Sequence, residues 1–294
     1  MSNPRALPYD IPPPSPSYNL VSDVEPEDMT LVTLTKFDGG IEIKSESLSV
    51  DSARLTDTER VVTDYNDVQQ KVFQLTKYAI VTAAGSFHIK SLETLEMVAR
   101  AHLMSGNDNF DKSLEAVKLF TPVIAASIDA QGELAVAGYD PEQGVFRIHA
   151  ITFQGMDIIG EQEYEHYHVL GGKNLVELIL EKWGDAVGRI GVNATDRSER
   201  YINTVTDNIM RQASEDEEWL TSLYPAYSIA FGGKVRRWVI TEEGAVEHEA
   251  GFSLPVRVVP GKVYSDNYKV FTREVYEKFL ADHREEIARK IRRS

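Results

Sequence analysis

Apolar and polar positions change their period several times along the chain, and the changes divide it into elements. The first 29 residues show no period: Ile11-Pro12-Pro13-Pro14-Ser15-Pro16-Ser17 favours extended polyproline geometry, and an acidic stretch from Asp23 to Asp28 follows. From Thr30 the pattern becomes that of strands. Leu31-Val32-Thr33-Leu34-Thr35 is rich in β-branched residues, Asp38-Gly39-Gly40 supplies a tight turn and Ile41-Glu42-Ile43 returns, which predicts a β-hairpin. Ser49 to Gln70 is polar with mixed periodicity, which predicts a strand end, an exposed loop and a short helical turn. Lys71 to Leu75 and Tyr78 to Gly85 form a second pair of strand-like runs. Leu92, Leu95, Met97, Val98, Ala101 and Leu103 recur at helical spacing, predicting a helix over Leu92 to Met104, and a second is predicted over Phe110 to Leu119. Val123 to Ile128, Leu134 to Tyr139 and Val145 to Phe153 then read as an antiparallel meander, with turns at Ala130-Gln131-Gly132 and Pro141 to Gly144. Gly171-Gly172-Lys173-Asn174 opens a helix over Leu175 to Trp183, and Ile202 to Gln212 predicts another. Tyr227 to Ala230 and Val235 to Ile240 form the last predicted strand pair, with a turn at Glu243-Gly244. A charged helix over Arg273 to Arg292 closes the chain.

The order is strands, two helices, strands, one or two helices, strands. Without regular βαβ alternation, this favours a layered α+β domain over a doubly wound one. Antiparallel sheets stacked face to face with helices on both outer faces, a four-layer αββα sandwich, satisfy the order. The composition shifts divide the chain into a proline-rich arm (1–29), a domain (30–253) and a C-terminal extension (254–294).

Composition narrows the function. Of 294 residues 42% are hydrophobic, enough for a sizeable core. A net charge of −15 argues against a general nucleic-acid binder and against an anionic membrane surface as partner. With no cysteine, thiolate chemistry is excluded, and no run approaches a membrane span. A cytoplasmic protein without a cofactor is the expectation.

Against that background one segment is distinctive. The run from Thr30 to Ser47, with its Gly39-Gly40 turn and the Glu46-Ser47 ending of its return strand, resembles without a gap the opening of a mature proteasome β-type subunit. Lys71-Val72-Phe73-Gln74-Leu75, followed by Ala83-Ala84-Gly85, resembles the same family's lysine strand and the small-residue turn before its first helix. Val169-Leu170-Gly171-Gly172 resembles a glycine-rich turn, and Ser228 to Val239, with Gly232-Gly233, the last catalytic loop and strand. The resemblance spans roughly residues 30 to 250. It implies an N-terminal-nucleophile (Ntn) hydrolase: a threonine peptidase that assembles into rings and cuts peptide or protein substrates.

What it implies for residues follows the chemistry of a threonine nucleophile, which needs a nearby base. A threonine at a chain start carries one, its own α-amine, titrating near neutrality. By resemblance, Thr30 is nucleophile and base carrier once residues 1–29 are removed, Lys71 the tuning cation, Glu46 its acidic partner, and Gly171-Gly172 the oxyanion turn. The family's acidic partner is normally aspartate, so Asp51 competes with Glu46 for that role. Met29 stands where self-cleaving subunits usually carry glycine, and this motivates a rival reading as a proteasome-fold assembly protein without activity. Elsewhere, His166 and His168 would share one face of a strand, but spacing supplies no third metal ligand. Arg236-Arg237 and the basic cluster from Arg289 to Arg293 read as solvated or interfacial charges.

Overall fold

A computed structural model describes residues 30–56, 59–85, 89–103, 109–127, 130–171, 184, 186–191, 194, 196–215, 232–258 and 263–265. The predicted opening hairpin forms: β1 (Val32–Phe37) and β2 (Gly40–Ser45) pair from Val32↔Ser45 to Phe37↔Gly40. After β2 come β3 (Ser49–Thr56), β4 (Glu59–Asn66), β5 (Val72–Gln74) and β6 (Ala79–Gly85), then the helices α1 (Ile89–Leu103) and α2 (Phe110–Ser127). The strands β7 (Gln131–Asp140), β8 (Val145–Gln154), β9 (Asp157–Tyr164) and β10 (Tyr167–Leu170) follow, then α3 (Glu199–Glu215), β11 (Gly233–Thr241), β12 (Gly244–Leu254) and β13 (Val263–Ser265).

These strands make antiparallel sheets in an α+β arrangement. One has the order β10-β1-β2-β11-β12, a second β5-β6-β7-β8-β9, and a small third β13-β4-β3. Side-chain alternation sorts the core accordingly. Val32, Leu34, Ile41 and Ile43 of the first sheet share one apolar cluster with Ala135 and Ile148 of the second. The opposite face of the first sheet, through Leu31, Phe37 and Val239, clusters with Ile202, Ile209 and Met210 of α3. The opposite face of the second, through Val81, Leu134 and Val136, clusters with Leu95 of α1 and with Phe110 and Val117 of α2.

A buried polar network also fastens α3 to its sheet. Lys44, fully buried, donates from Nζ to the Asn203 carbonyl and the Thr206 hydroxyl, each at 2.8 Å, and to the Asp207 carboxylate. Arg237 donates to Glu42 at 2.7 Å, and burial holds the Lys44 amine below its ordinary pKa. Arg237, expected as a solvated or interfacial charge, is thus part of a buried network within the chain. Strand alternation turns its side chain toward the face that α3 covers.

Three further expectations are corrected. Of the predicted strand Val123 to Ile128, the described part from Val123 to Ser127 is instead the continuation of α2, which runs through Pro122. Its buried positions Leu114, Val117, Thr121 and Ala125 keep helical spacing across the proline. Burying such a stripe, at ~1.5–3 kcal/mol per large side chain, outweighs the ~3 kcal/mol cost of one interior proline. The polar stretch from Ser49 forms the β3–β4 hairpin rather than a loop, because register shifts at Asp51/Ser52 and Arg54/Thr56 break its alternation. The edge strand β12 was not predicted, since most of its residues are exposed and its sequence lacks an apolar period. The predicted elements over Leu175 to Trp183, Tyr227 to Ala230 and Arg273 to Arg292 lie outside the described residues.

Candidate active site

The site grows from the point where β2 leaves its ladder. After Ser45 the chain stays bonded to β1 by the Glu46 amide, which donates to the Leu31 carbonyl at 3.3 Å, and the Glu46 side chain turns into a fully buried position. A carboxylate without water needs donors, and four groups supply them. Oε1 accepts Lys71 Nζ at 2.5 Å and the Leu31 amide at 3.2 Å; Oε2 accepts the Leu48 amide at 2.8 Å and the Gly232 amide at 3.4 Å. Burial pushes the Glu46 pKa up, opposed first by the charge of Lys71 and then by its hydrogen bonds to Lys71, Leu48 and Leu31.

Lys71 is 2% exposed and immediately precedes β5, whose pairing with β6 sets its place. The Thr82 hydroxyl of β6 donates to the Lys71 carbonyl at 2.8 Å, pinning its backbone. Thr30, also 2% exposed, directly precedes Leu31. Leu31 N–H and Lys71 Nζ share Oε1 of Glu46, so the ammonium lies within two hydrogen bonds of the Thr30–Leu31 peptide. Thr30, Glu46 and Lys71, distant in sequence, are thus gathered at one end of the opening hairpin. Of the two candidate carboxylates it is Glu46 that takes Lys71, while Asp51 belongs to β3, opposite Asp64.

A backbone weave fixes the same corner. The Ser47 amide donates to the Gly232 carbonyl at 3.3 Å, the Gln69 amide to the Ser47 carbonyl at 3.0 Å and the Lys234 amide to the Asp67 carbonyl at 3.1 Å. The Ser47 hydroxyl also donates to the Asp67 carbonyl. Gly171 follows Leu170, the partner of Val32, so it lies at the Thr30 end of β1. Gly172 lies outside the described residues.

Gly85 and the Gly232-Gly233 pair stood in the sequence as turn and loop glycines, without a named contact to the carboxylate or the lysine. Gly232 supplies a donor to Glu46, and only the Gly232-Gly233 pair signalled it. Gly85 ends β6 at φ +103°, on the Lys71 side of the β5–β6 ladder, and a Cβ there would meet Gln131 O and Gly132 Cα, each at 2.8 Å. A residue with a Cβ would be strained in this conformation and would also clash there. The signal available was its place after Ala83-Ala84, beyond the lysine strand.

The histidines are elsewhere. His168 stacks on Tyr164 at 4.0 Å between ring centroids, and its Nε2 lies 3.0 Å from Glu133 Oε1 but off the hydrogen-bond direction. His166 lies 3.7 Å from Glu165. Among the described residues no group of three or more histidines and acids is placed to hold a metal ion, and no helix is long and apolar enough to cross a membrane, which says nothing of a β-barrel. Compared with family models and with curated proteins, the chain matches none.

Proposed function

We propose that the chain is a proteasome-like Ntn hydrolase, a threonine peptidase with Thr30 as nucleophile after cleavage of the Met29–Thr30 bond. The observation that carries the reading is the buried Glu46–Lys71 pair at 2.5 Å, bonded through the same carboxylate oxygen to the amide that follows Thr30. In this reading the two five-stranded sheets stack as the inner layers of an αββα sandwich; the apolar cluster they share and the helices on their other faces support it.

The chemistry then runs as follows. Thr30 Oγ attacks the carbonyl carbon of a substrate peptide, and its proton passes to the freed Thr30 α-amine. The amine returns a proton to the departing peptide nitrogen as the C–N bond breaks, leaving an ester on Thr30. Water, deprotonated by the same amine, hydrolyses that ester and restores the hydroxyl. Lys71, paired with Glu46, provides positive potential that favours the alkoxide-like nucleophile. Backbone amides of the Gly171-Gly172 turn, or of Gly85, stabilise the oxyanion. Assembly into cytoplasmic rings, with the site facing an inner chamber, belongs to the same proposal.

Intact mass and N-terminal sequencing of the purified protein, with β-lactone labelling, test it. A chain beginning at Thr30 and acylated there supports the peptidase. A stable uncut chain that ignores the probe refutes it and leaves the second reading, an assembly protein that keeps the fold without the chemistry. Met29 and the 2% exposure of Thr30 favour that alternative, since an uncut Thr30 has neither free amine nor access.

A further inference from the structure

The chain beyond β12 turns back behind the Glu46 carboxylate. β12 ends at Leu254, opposite Gly233, and the next residue, Pro255, abuts Gly232: a Cβ on Gly232 would meet the Pro255 carbonyl oxygen at 2.6 Å. Val258, 8% exposed, clusters with Leu48, 2% exposed, and Val50 and Val256 pack against both. Between them Arg257 donates to the Ser214 carbonyl at 2.5 Å, near the C-terminal end of α3. Further on, Val263–Ser265 pairs with β4. The segment from Pro255 to Val258 is thus tied to α3 and leads into the small sheet.

Leu48 and Gly232 are the residues that donate to Oε2 of Glu46, at 2.8 and 3.4 Å. Both rest against this segment, Leu48 through its side chain and Gly232 through its backbone. The other oxygen, Oε1, is held by Lys71 and Leu31. We propose that Pro255, Val256 and Val258 form a positioning strap that sets the orientation of the Glu46 carboxylate, and through it Lys71, by backing the two amides that hold Oε2. The role of that pair in catalysis rests on the reading above; the positioning itself does not. Among the described residues the apolar cluster around Leu48 holds only Val50 besides the strap, so trimming Val258 frees the Leu48 backbone to turn. Oε2 then loses its shorter bond and the carboxylate swings away from Lys71.

The test uses the full chain, with Val258→Ala as perturbation, Val258→Ile as rescue and Val246→Ala on the exposed side of β12 as control. Amide exchange and amide chemical shifts are read at Leu48 and Gly232, with Val136 in the core of β7 as reference. Val258→Ala is expected to speed exchange at Leu48 and Gly232 by about tenfold or more while Val136 keeps its rate, as local opening requires. The Leu48 amide proton moves upfield as its carboxylate bond lengthens, and Val258→Ile restores both signals. Unchanged exchange at Leu48 and Gly232, or equal acceleration of Val136, overturns the proposal. Should Val258→Ala fail to fold, the partly buried Val256→Ala is read in the same way. None of these signals needs turnover. A moved Leu48 amide in a chain whose Thr30 is never labelled keeps the strap and refutes the peptidase. A labelled Thr30 with an unmoved Leu48 amide does the reverse.

Discussion

Replacing Lys71 with methionine keeps most of the side-chain volume and removes what is, among the described residues, the only cation bonded to the fully buried Glu46 carboxylate. Breaking a buried pair from one side costs ~3–5 kcal/mol, because the remaining charge stays desolvated. Here the amides of Leu31, Leu48 and Gly232 remain as donors to Glu46, which puts the expected loss at the lower end, about 3 kcal/mol at pH 8. The loss must depend on pH. Burial already raises the Glu46 pKa, and without Lys71 the opposing charge is gone, so the folded-state value moves further above the unfolded one. The folded state then binds a proton more readily than the unfolded state, and stability falls as pH rises from the unfolded pKa through the folded one. As pH falls toward that folded-state value the carboxyl takes up its proton, so the deficit should be smaller at pH 5 than at pH 8. Urea unfolding of wild type and Lys71→Met at both pH values measures this, and adding Glu46→Gln to the variant should abolish the pH dependence. A loss under about 1 kcal/mol at pH 8, or one equal at both pH values, would show that Lys71 and Glu46 are not a buried pair.

Three other outcomes are expected. Gly85→Ala places a Cβ 2.8 Å from Gln131 O at φ +103°, so it should cost ~1–3 kcal/mol in urea unfolding and, on the proposed function, reduce β-lactone labelling of Thr30. Phe110→Ala removes a fully buried ring between α2 and the second sheet; calorimetry should find it destabilised by ~3–5 kcal/mol with no change in the state of the Glu46–Lys71 pair. The hydrogen bond from Arg147 holds the Glu163 carboxyl below its ordinary range. Its stabilisation is present above the unfolded carboxylate pKa and lost as pH falls through the depressed value, so Glu163→Gln should weaken the protein at neutral pH and match wild type in acid.

Much of the fold was legible where local pattern and tertiary environment agree. The β1–β2 hairpin was readable because its turn and its alternation are both written in Thr30 to Ile43, and α3 because its buried stripe keeps helical spacing. α2 was cut short because Pro122 is a local stop signal, and only packing against the second sheet carries the helix past it. The β3–β4 hairpin was hidden by bulges, and β12 by its exposure at a sheet edge. At the site, Thr30, Glu46 and Lys71 could be chosen as residue types, and their meeting could be expected from resemblance. Nothing local distinguished Glu46 from Asp51, because the choice depends on where β2 leaves its ladder and on the backbone donors waiting there.

By itself the sequence determined the antiparallel α+β character, the turns that require glycine and the residue types available for chemistry, because each depends on neighbours a few positions apart. The tertiary structure alone decided that Lys71 bonds Glu46 and that Arg237 is drawn into a buried network. It also decided that Gly232 donates to Glu46 and that the segment after β12 packs against Leu48 and Gly232. These contacts join residues far apart in the chain, and their energies come from desolvation and donor geometry, which exist only once the sheets have assembled.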